Sequence, residues 1–84
     1  MYSLDIDDIA MNFLEKLPRE ISQRIFQKVR TAKEDPHRYF IRLKGLPYYK
    51  LRVGDYRVIA DINDGRLHIL VVQIGHRKNI YSKV

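Results

Sequence analysis

Apolar and polar positions change period along the chain, and the changes mark its elements. Residues 2–6 alternate, with Tyr2, Leu4 and Ile6 on one side, which predicts a short first strand. Asp7 or Asp8 is placed to cap a helix. Ile9, Phe13, Leu14 and Leu17 then recur at helical spacing. Pro18 interrupts them and suits the first turn of a second helix. That helix carries Ile21, Ile25, Phe26 and Val29 on one stripe and ends before Pro36. Two helices joined at Leu17-Pro18 predict a hairpin covering one face of a sheet.

A period of two returns near residue 48. Tyr49, Leu51 and Val53 alternate with Tyr48, Lys50 and Arg52, and Gly54-Asp55 reads as a tight turn. Tyr56, Val58, Ala60 and Ile62 alternate with Arg57, Ile59 and Asp61. Asn63-Asp64-Gly65 is a second turn signal. Leu67 to Ile74 is nearly continuous in apolar residues, as expected of a central strand. The predicted order is β-α-α-β-β-β. The fold class is α+β: an N-terminal strand and a helical hairpin packed on one face of a small, mainly antiparallel sheet, with the other face open.

Length and composition narrow the possibilities. At 84 residues the chain is expected to form a single domain, 1–84. No cysteine is present, which excludes disulfides, thiolate metal sites and thiol nucleophiles. Residues 1–10 lack the basic start and apolar run of a signal peptide. No apolar stretch nears the ~20 residues that span a bilayer. A cytoplasmic protein without membrane association is the expectation. The net charge of +6 is unevenly placed. Residues 1–35 hold six Lys/Arg and seven Asp/Glu, and residues 36–84 hold ten and three. Such a field favours a polyanion or an acidic protein partner over a charge kept for solubility alone.

The open face gathers that charge. Lys50 and Arg52 point the same way, and a two-residue turn at Gly54-Asp55 sets Arg52 opposite Arg57. Directly opposed like charges cost stability, and an anion lying across them relieves the cost. The last strand leaves the core at GHRKNIY, which can bring Arg77 and Tyr81 to the same face, with His76 as a neighbour. Arginine grips phosphate in a fork and lysine adds a mobile point charge. Tyr48 and Tyr81 can stack on unpaired bases, so single-stranded RNA suits the set better than duplex DNA. RNA carries its own nucleophile, the 2′-OH. A nuclease need only align it, neutralise the charge that develops on phosphorus and move protons. Arg57 and Arg77 are candidates for the charge, Lys50 or Tyr81 for the base, and Arg77 or His76 for aid to the leaving group. No carboxylate cluster for a metal stands beside them in sequence, so a reaction without metal or cofactor is expected.

The plainer readings are also open. Lys50 and Arg52 suit a solvated edge strand, where lysine discourages aggregation. Tyr49 and Tyr56 fit core or rim positions, and His37 and His68 fit structural or solvent-facing ones. Arg57 and Arg77 together are the hardest to explain by solvation alone.

The segment RLKGLPYYKLRVGDYRVIA, followed by GHRKNIY, resembles the RelE/ParE toxin superfamily, most strongly its RelE branch, and the resemblance extends over nearly the whole chain. It implies a microbial-RNase-like fold and a ribosome-dependent endoribonuclease that cuts mRNA codons in the A site of the 70S ribosome. It also implies a RelB-like antitoxin that wraps and masks the toxin, one toxin monomer within a heterocomplex. The family's catalytic positions fall on Lys50, Arg57, Arg77 and Tyr81. RNA contacts are expected from Tyr48, Arg52, His76, Lys78, Lys44 and Arg42. Where some RelE enzymes carry a second lysine, this chain has Tyr48, and the often basic position before Arg77 holds His76. Two other outcomes compete: a ParE-like inhibitor of DNA gyrase, and a non-catalytic basic module that binds an acidic antitoxin.

Overall fold

The computed structural model describes residues 1–78. Strand β1 (Ser3–Ile6) leads into helices α1 (Asp8–Lys16) and α2 (Arg19–Ala32) and a single helical turn, α3 (Pro36–Tyr39). Four strands follow: β2 (Ile41–Arg42), β3 (Tyr49–Val53), β4 (Tyr56–Asn63) and β5 (His68–His76). All five strands form one sheet in the order β1-β5-β4-β3-β2. β1 runs parallel to β5, and the other pairs are antiparallel. The α+β class with a strand and helical hairpin on a mainly antiparallel sheet is therefore what the chain forms. α3 and β2 are additions that the sequence pattern does not reveal. Among the described residues no helix is long and apolar enough to cross a membrane.

The helices begin and end where local chemistry requires. The carboxylate of Asp7 accepts the Ile9 N–H at 2.8 Å and caps α1. Asp8 in the first turn and Lys16 in the last complement the helix dipole. Leu17 is extended (ψ 154), as the residue before a proline prefers, and Pro18 starts α2. The core lies between α1, α2 and one sheet face. Ala10, Leu14, Ile25 and Val29 meet Leu51, Val58, Ala60, Ile62, Ile69 and Val71 there. Two expected core residues point outward instead: Ile9 is 72% exposed and Phe26 is 45% exposed. The buried stripe of α1 runs through Ala10 and Leu14, one position on from Ile9, because a small residue lets the helix approach the sheet.

Two departures from simple alternation shape the last strands. The β4–β5 loop takes its left-handed residue at Leu67 (φ 50), so Leu67 belongs to the turn and the strand begins at His68. Between β4 and β5 the register shifts: Ala60 pairs with Val71, but Ile59 pairs with Gln73. The extra residue, Val72, forms a bulge and reverses the phase of everything after it. Ile74 thereby turns into the core, while Gly75 comes opposite Arg57 on the other face.

A polar latch joins elements distant in sequence. Asp64, in the β4–β5 loop, accepts a hydrogen bond from the Tyr2 hydroxyl at 2.5 Å and lies 2.7 Å from Nε2 of His37 in α3. These bonds, that of Tyr2 first and that of His37 second, hold the Asp64 carboxyl below its ordinary 3.8. A depressed carboxylate favours the folded state above its unfolded pKa, and that contribution disappears as pH falls through the folded value. Asp64→Asn is expected to flatten the loss of stability as pH falls into the acid range below the ordinary carboxylate value. Urea melts across that range provide the check, and an acid limb identical to the parent's would remove the latch from the account.

Candidate functional site

The basic side chains on the open face follow from strand geometry. In β3, Leu51 and Val53 are buried toward the helices, so Lys50 and Arg52 lie on the opposite side. The β3–β4 turn is the two-residue loop Gly54-Asp55, with Val53 paired to Tyr56. Gly54 adopts φ 58, a conformation that a side chain would strain. Arg52 therefore pairs directly with Arg57, as the sequence predicts. Lys50 pairs with Ile59 on one side and Ile41 on the other. Ile59 is fully buried although it faces away from the helices, and its cross-strand neighbours are Lys50 and Gln73.

The hairpin turn fixes both arginines. Arg57 Nη1 donates to the carbonyl of Gly54 and to its neighbour Tyr56, each at 3.0 Å. The Arg77 N–H donates to the Asp55 carbonyl at 2.8 Å, and Arg77 Nε lies 3.8 Å from Asp55 Oδ1. Two successive turn residues thus hold one arginine each. The carbonyls of Gly54 and Tyr56 engage only Nη1 of Arg57 and leave its other donors for an anion. A cleft of about 370 Å³ opens beside Lys50, Arg52 and Arg57.

Other expected members of the site lie elsewhere. His76 pairs with Tyr56 and so sits on the helix side of the sheet, away from Arg57. Its ring meets Tyr56 edge-on at 5.5 Å, Tyr56 in turn meets Phe13, and its Nδ1 accepts the Lys78 N–H at 3.2 Å. The bulge at Val72 sets this phase, and nothing in the local sequence announces it. Arg42 pairs with Tyr49, also away from Lys50, and its guanidinium lies 5.9 Å from the Tyr49 ring centre. Lys44 is exposed in the β2–β3 loop, and Lys78 is exposed after β5. Tyr48 is half-buried just before β3, and its carbonyl accepts the Leu43 N–H. Tyr81 lies outside the described residues. Among the described residues, no three His, Asp or Glu side chains converge as a metal site.

Sequence reasoning passed over Lys28 and Arg38, which line the same cleft from the helical side. Their signal was present: Arg24 and Lys28 stand four apart on the polar face of α2. Counting charge by halves of the chain concealed Lys28, because acidic residues elsewhere in residues 1–35 cancel it, and merged Arg38 with the basic excess of residues 36–84.

The chain is similar in sequence and fold to known proteins. The family model described as ParE toxin of the type II toxin–antitoxin system parDE matches residues 4–81. The mRNA interferase toxin RelE of Escherichia coli K12 is 28% identical, with 98% of this chain and 92% of that protein aligned. The isolated E. coli RelE toxin superimposes with a TM-score of 0.78 at 26% identity, over 99% of this chain and 94% of that one. The toxin fold in the intact E. coli RelBE toxin–antitoxin complex gives 0.75 at 27% identity, over 90% and 96%.

Proposed function

The chain belongs to the ParE toxin family of type II toxin–antitoxin systems, on its RelE-like branch, and from that premise we propose that it cuts messenger RNA in the ribosomal A site. The observation that carries this reading is the opposed pair Arg52 and Arg57 beside Lys50, with Arg77 tied to the same turn. A fold has no use for such crowding, whereas a phosphodiester does.

In the proposed reaction the 2′-OH attacks the adjacent phosphorus. The bond from phosphorus to O5′ breaks, leaving a 2′,3′-cyclic phosphate and a 5′-OH. Lys50 as its neutral amine, or Tyr81 as its phenolate, takes the proton from the 2′-OH, and Arg77 steadies the departing O5′, which takes up a proton from water. Arg57 and Arg77 stabilise the doubly charged phosphorane, and the turn that holds them provides preorganisation. Tyr81 also stacks on a base in this scheme. Neither metal nor cofactor is required, because the substrate supplies its own nucleophile. His76, on the other face, acts through packing and not on the leaving group.

The ribosome presents the single strand in the A site, so the protein works in the cytoplasm. A RelB-like antitoxin neutralises it by covering the cationic face, in a heterocomplex with one toxin monomer per site. The second reading, inhibition of DNA gyrase, draws support from the ParE name of the matching family.

A toeprint of an initiated ribosome complex on a short message tests the proposal. A new 3′ end within the A-site codon is expected. A folded protein that cuts nothing yet blocks supercoiling would transfer the case to gyrase.

A further inference from the structure

The positive charge extends beyond the groups placed in the proposed reaction. The cleft at the edge of β3 is lined by Lys28, Arg38, Tyr39, Lys50, Arg52 and Arg57, and no Asp or Glu lines it. It exists because β2 is short. Ile41 pairs with Lys50, and the preceding residues wind into α3 where a longer strand would have run beside Leu51 and Arg52. α2 and α3 then overhang the uncovered edge of β3.

Three of the cations come with no neutralising partner among the described residues. Among the described residues, Lys28, Arg38 and Arg52 form no ion pair. Lys28 Nζ and Arg38 Cζ lie 5.6 and 5.8 Å from the centre of one ring, that of Tyr39. The ring attracts both and holds two like charges at the cleft wall. Arg24, one turn before Lys28, lines the adjoining hollow with Arg52 and Gly54. Its Nη1 lies 3.4 Å from where a Cβ on Gly54 would stand. The positive surface is thus continuous from Arg57 around the β3 edge to α2.

We propose that this cleft is a second phosphate subsite, which grips phosphodiester groups of RNA flanking the cut and sets the strand in register. The proposal rests on the RNA-cutting reading above. RNA is favoured over an acidic protein segment because the cleft shares Lys50, Arg52 and Arg57 with the reaction face. Phe26, the large exposed ring of α2 that a protein partner would seek, does not line it. Guanidinium forks and a mobile ammonium recognise phosphate oxygens whatever the base, so the subsite contributes affinity and register but no sequence preference.

The test uses Lys28→Ala/Arg38→Ala, with the charge-conserving Lys28→Arg/Arg38→Lys pair as control. Binding of a short 2′-O-methyl oligoribonucleotide and of vacant 70S ribosomes is measured across a salt series. Loss of two phosphate contacts makes the slope of log K against log salt shallower by about 1.4, and lowers affinity roughly tenfold or more near ~0.1 M salt. The control retains both. A loss with the oligonucleotide assigns the cleft to the message. A loss with vacant ribosomes alone assigns the cleft to ribosomal RNA and overturns its role in gripping the message. Unchanged affinity for both overturns it, as does weakened binding of an acidic antitoxin with RNA affinity intact. Both residues are exposed, and a melting curve verifies folding; Lys28→Gln alone serves if the double variant is unstable. Cleavage is not the readout, so the toeprint judges the parent reading separately.

Discussion

Replacing Arg57 and Arg77 together with alanine is expected to slow message cleavage by about 10³-fold or more, with little change in melting temperature. Removing one preorganised donor from a developing oxyanion costs about 10²–10³ in rate. The two arginines are tied to adjacent residues of one turn and, in the proposed reaction, share one phosphorane, so the double loss is expected to fall short of the product of the singles. Stability is spared for structural reasons. The Arg77 side chain is 53% exposed, and its turn contact at 2.8 Å uses the backbone N–H, which alanine keeps. Arg57 is opposed to Arg52, so its removal also relieves a like-charge contact. Single-turnover cleavage on programmed ribosomes is the measurement, with antitoxin binding alongside. Cleavage within tenfold of the parent would end the catalytic assignment. Lost antitoxin binding without any parental cleavage would favour the non-catalytic basic module.

The opposite pattern is expected of Ile69→Ala. Ile69 is fully buried in the centre of the sheet, between Leu4 of β1 and Ile62 of β4. Truncating a buried isoleucine costs about 2–5 kcal/mol, as lost transfer energy plus the cavity left behind. Domains have about 5–15 kcal/mol in total, and small ones lie toward the low end. At about 4–8 °C per kcal/mol, the melting temperature falls by about 10 °C or more. Toxicity then declines with the amount of folded protein, while each folded molecule cuts at the parental rate. Thermal melts beside cleavage normalised to folded protein separate the two cases. A reduced rate per folded molecule would mean that the core and the reaction face are coupled.

The sequence exposed those parts of the molecule whose cause is local. A two-residue Gly-Asp loop between alternating runs determined the β3–β4 register, and with it the Arg52–Arg57 opposition. Pro18 and the apolar spacing on either side determined the helical hairpin. What stayed hidden has non-local causes. β2 is two residues long and exists only because β3 lies beside it. The bulge at Val72 depends on pairing with β4 and decides that His76 joins Tyr56 instead of Arg57. Leu67, which the apolar run places in the last strand, adopts a left-handed conformation and belongs to the turn. The spacing of Arg24 and Lys28 marks a basic stripe on α2, but only tertiary packing brings Lys28 and Arg38 to the edge of β3.

The parallel pairing of β1 with β5 also affects how the molecule comes into being. Ser3 finds its partner only at His68, and Ile6 only at Val71. A growing chain emerges from the exit tunnel with β1 first, and that strand has no place in the sheet until β5 follows. Such distant pairing is slow, since the loop between the ends must close before the contacts reward it. The core cannot close, and Arg77 cannot reach the β3–β4 turn, on an incomplete nascent chain. The cationic site is therefore among the last parts of the molecule to be completed.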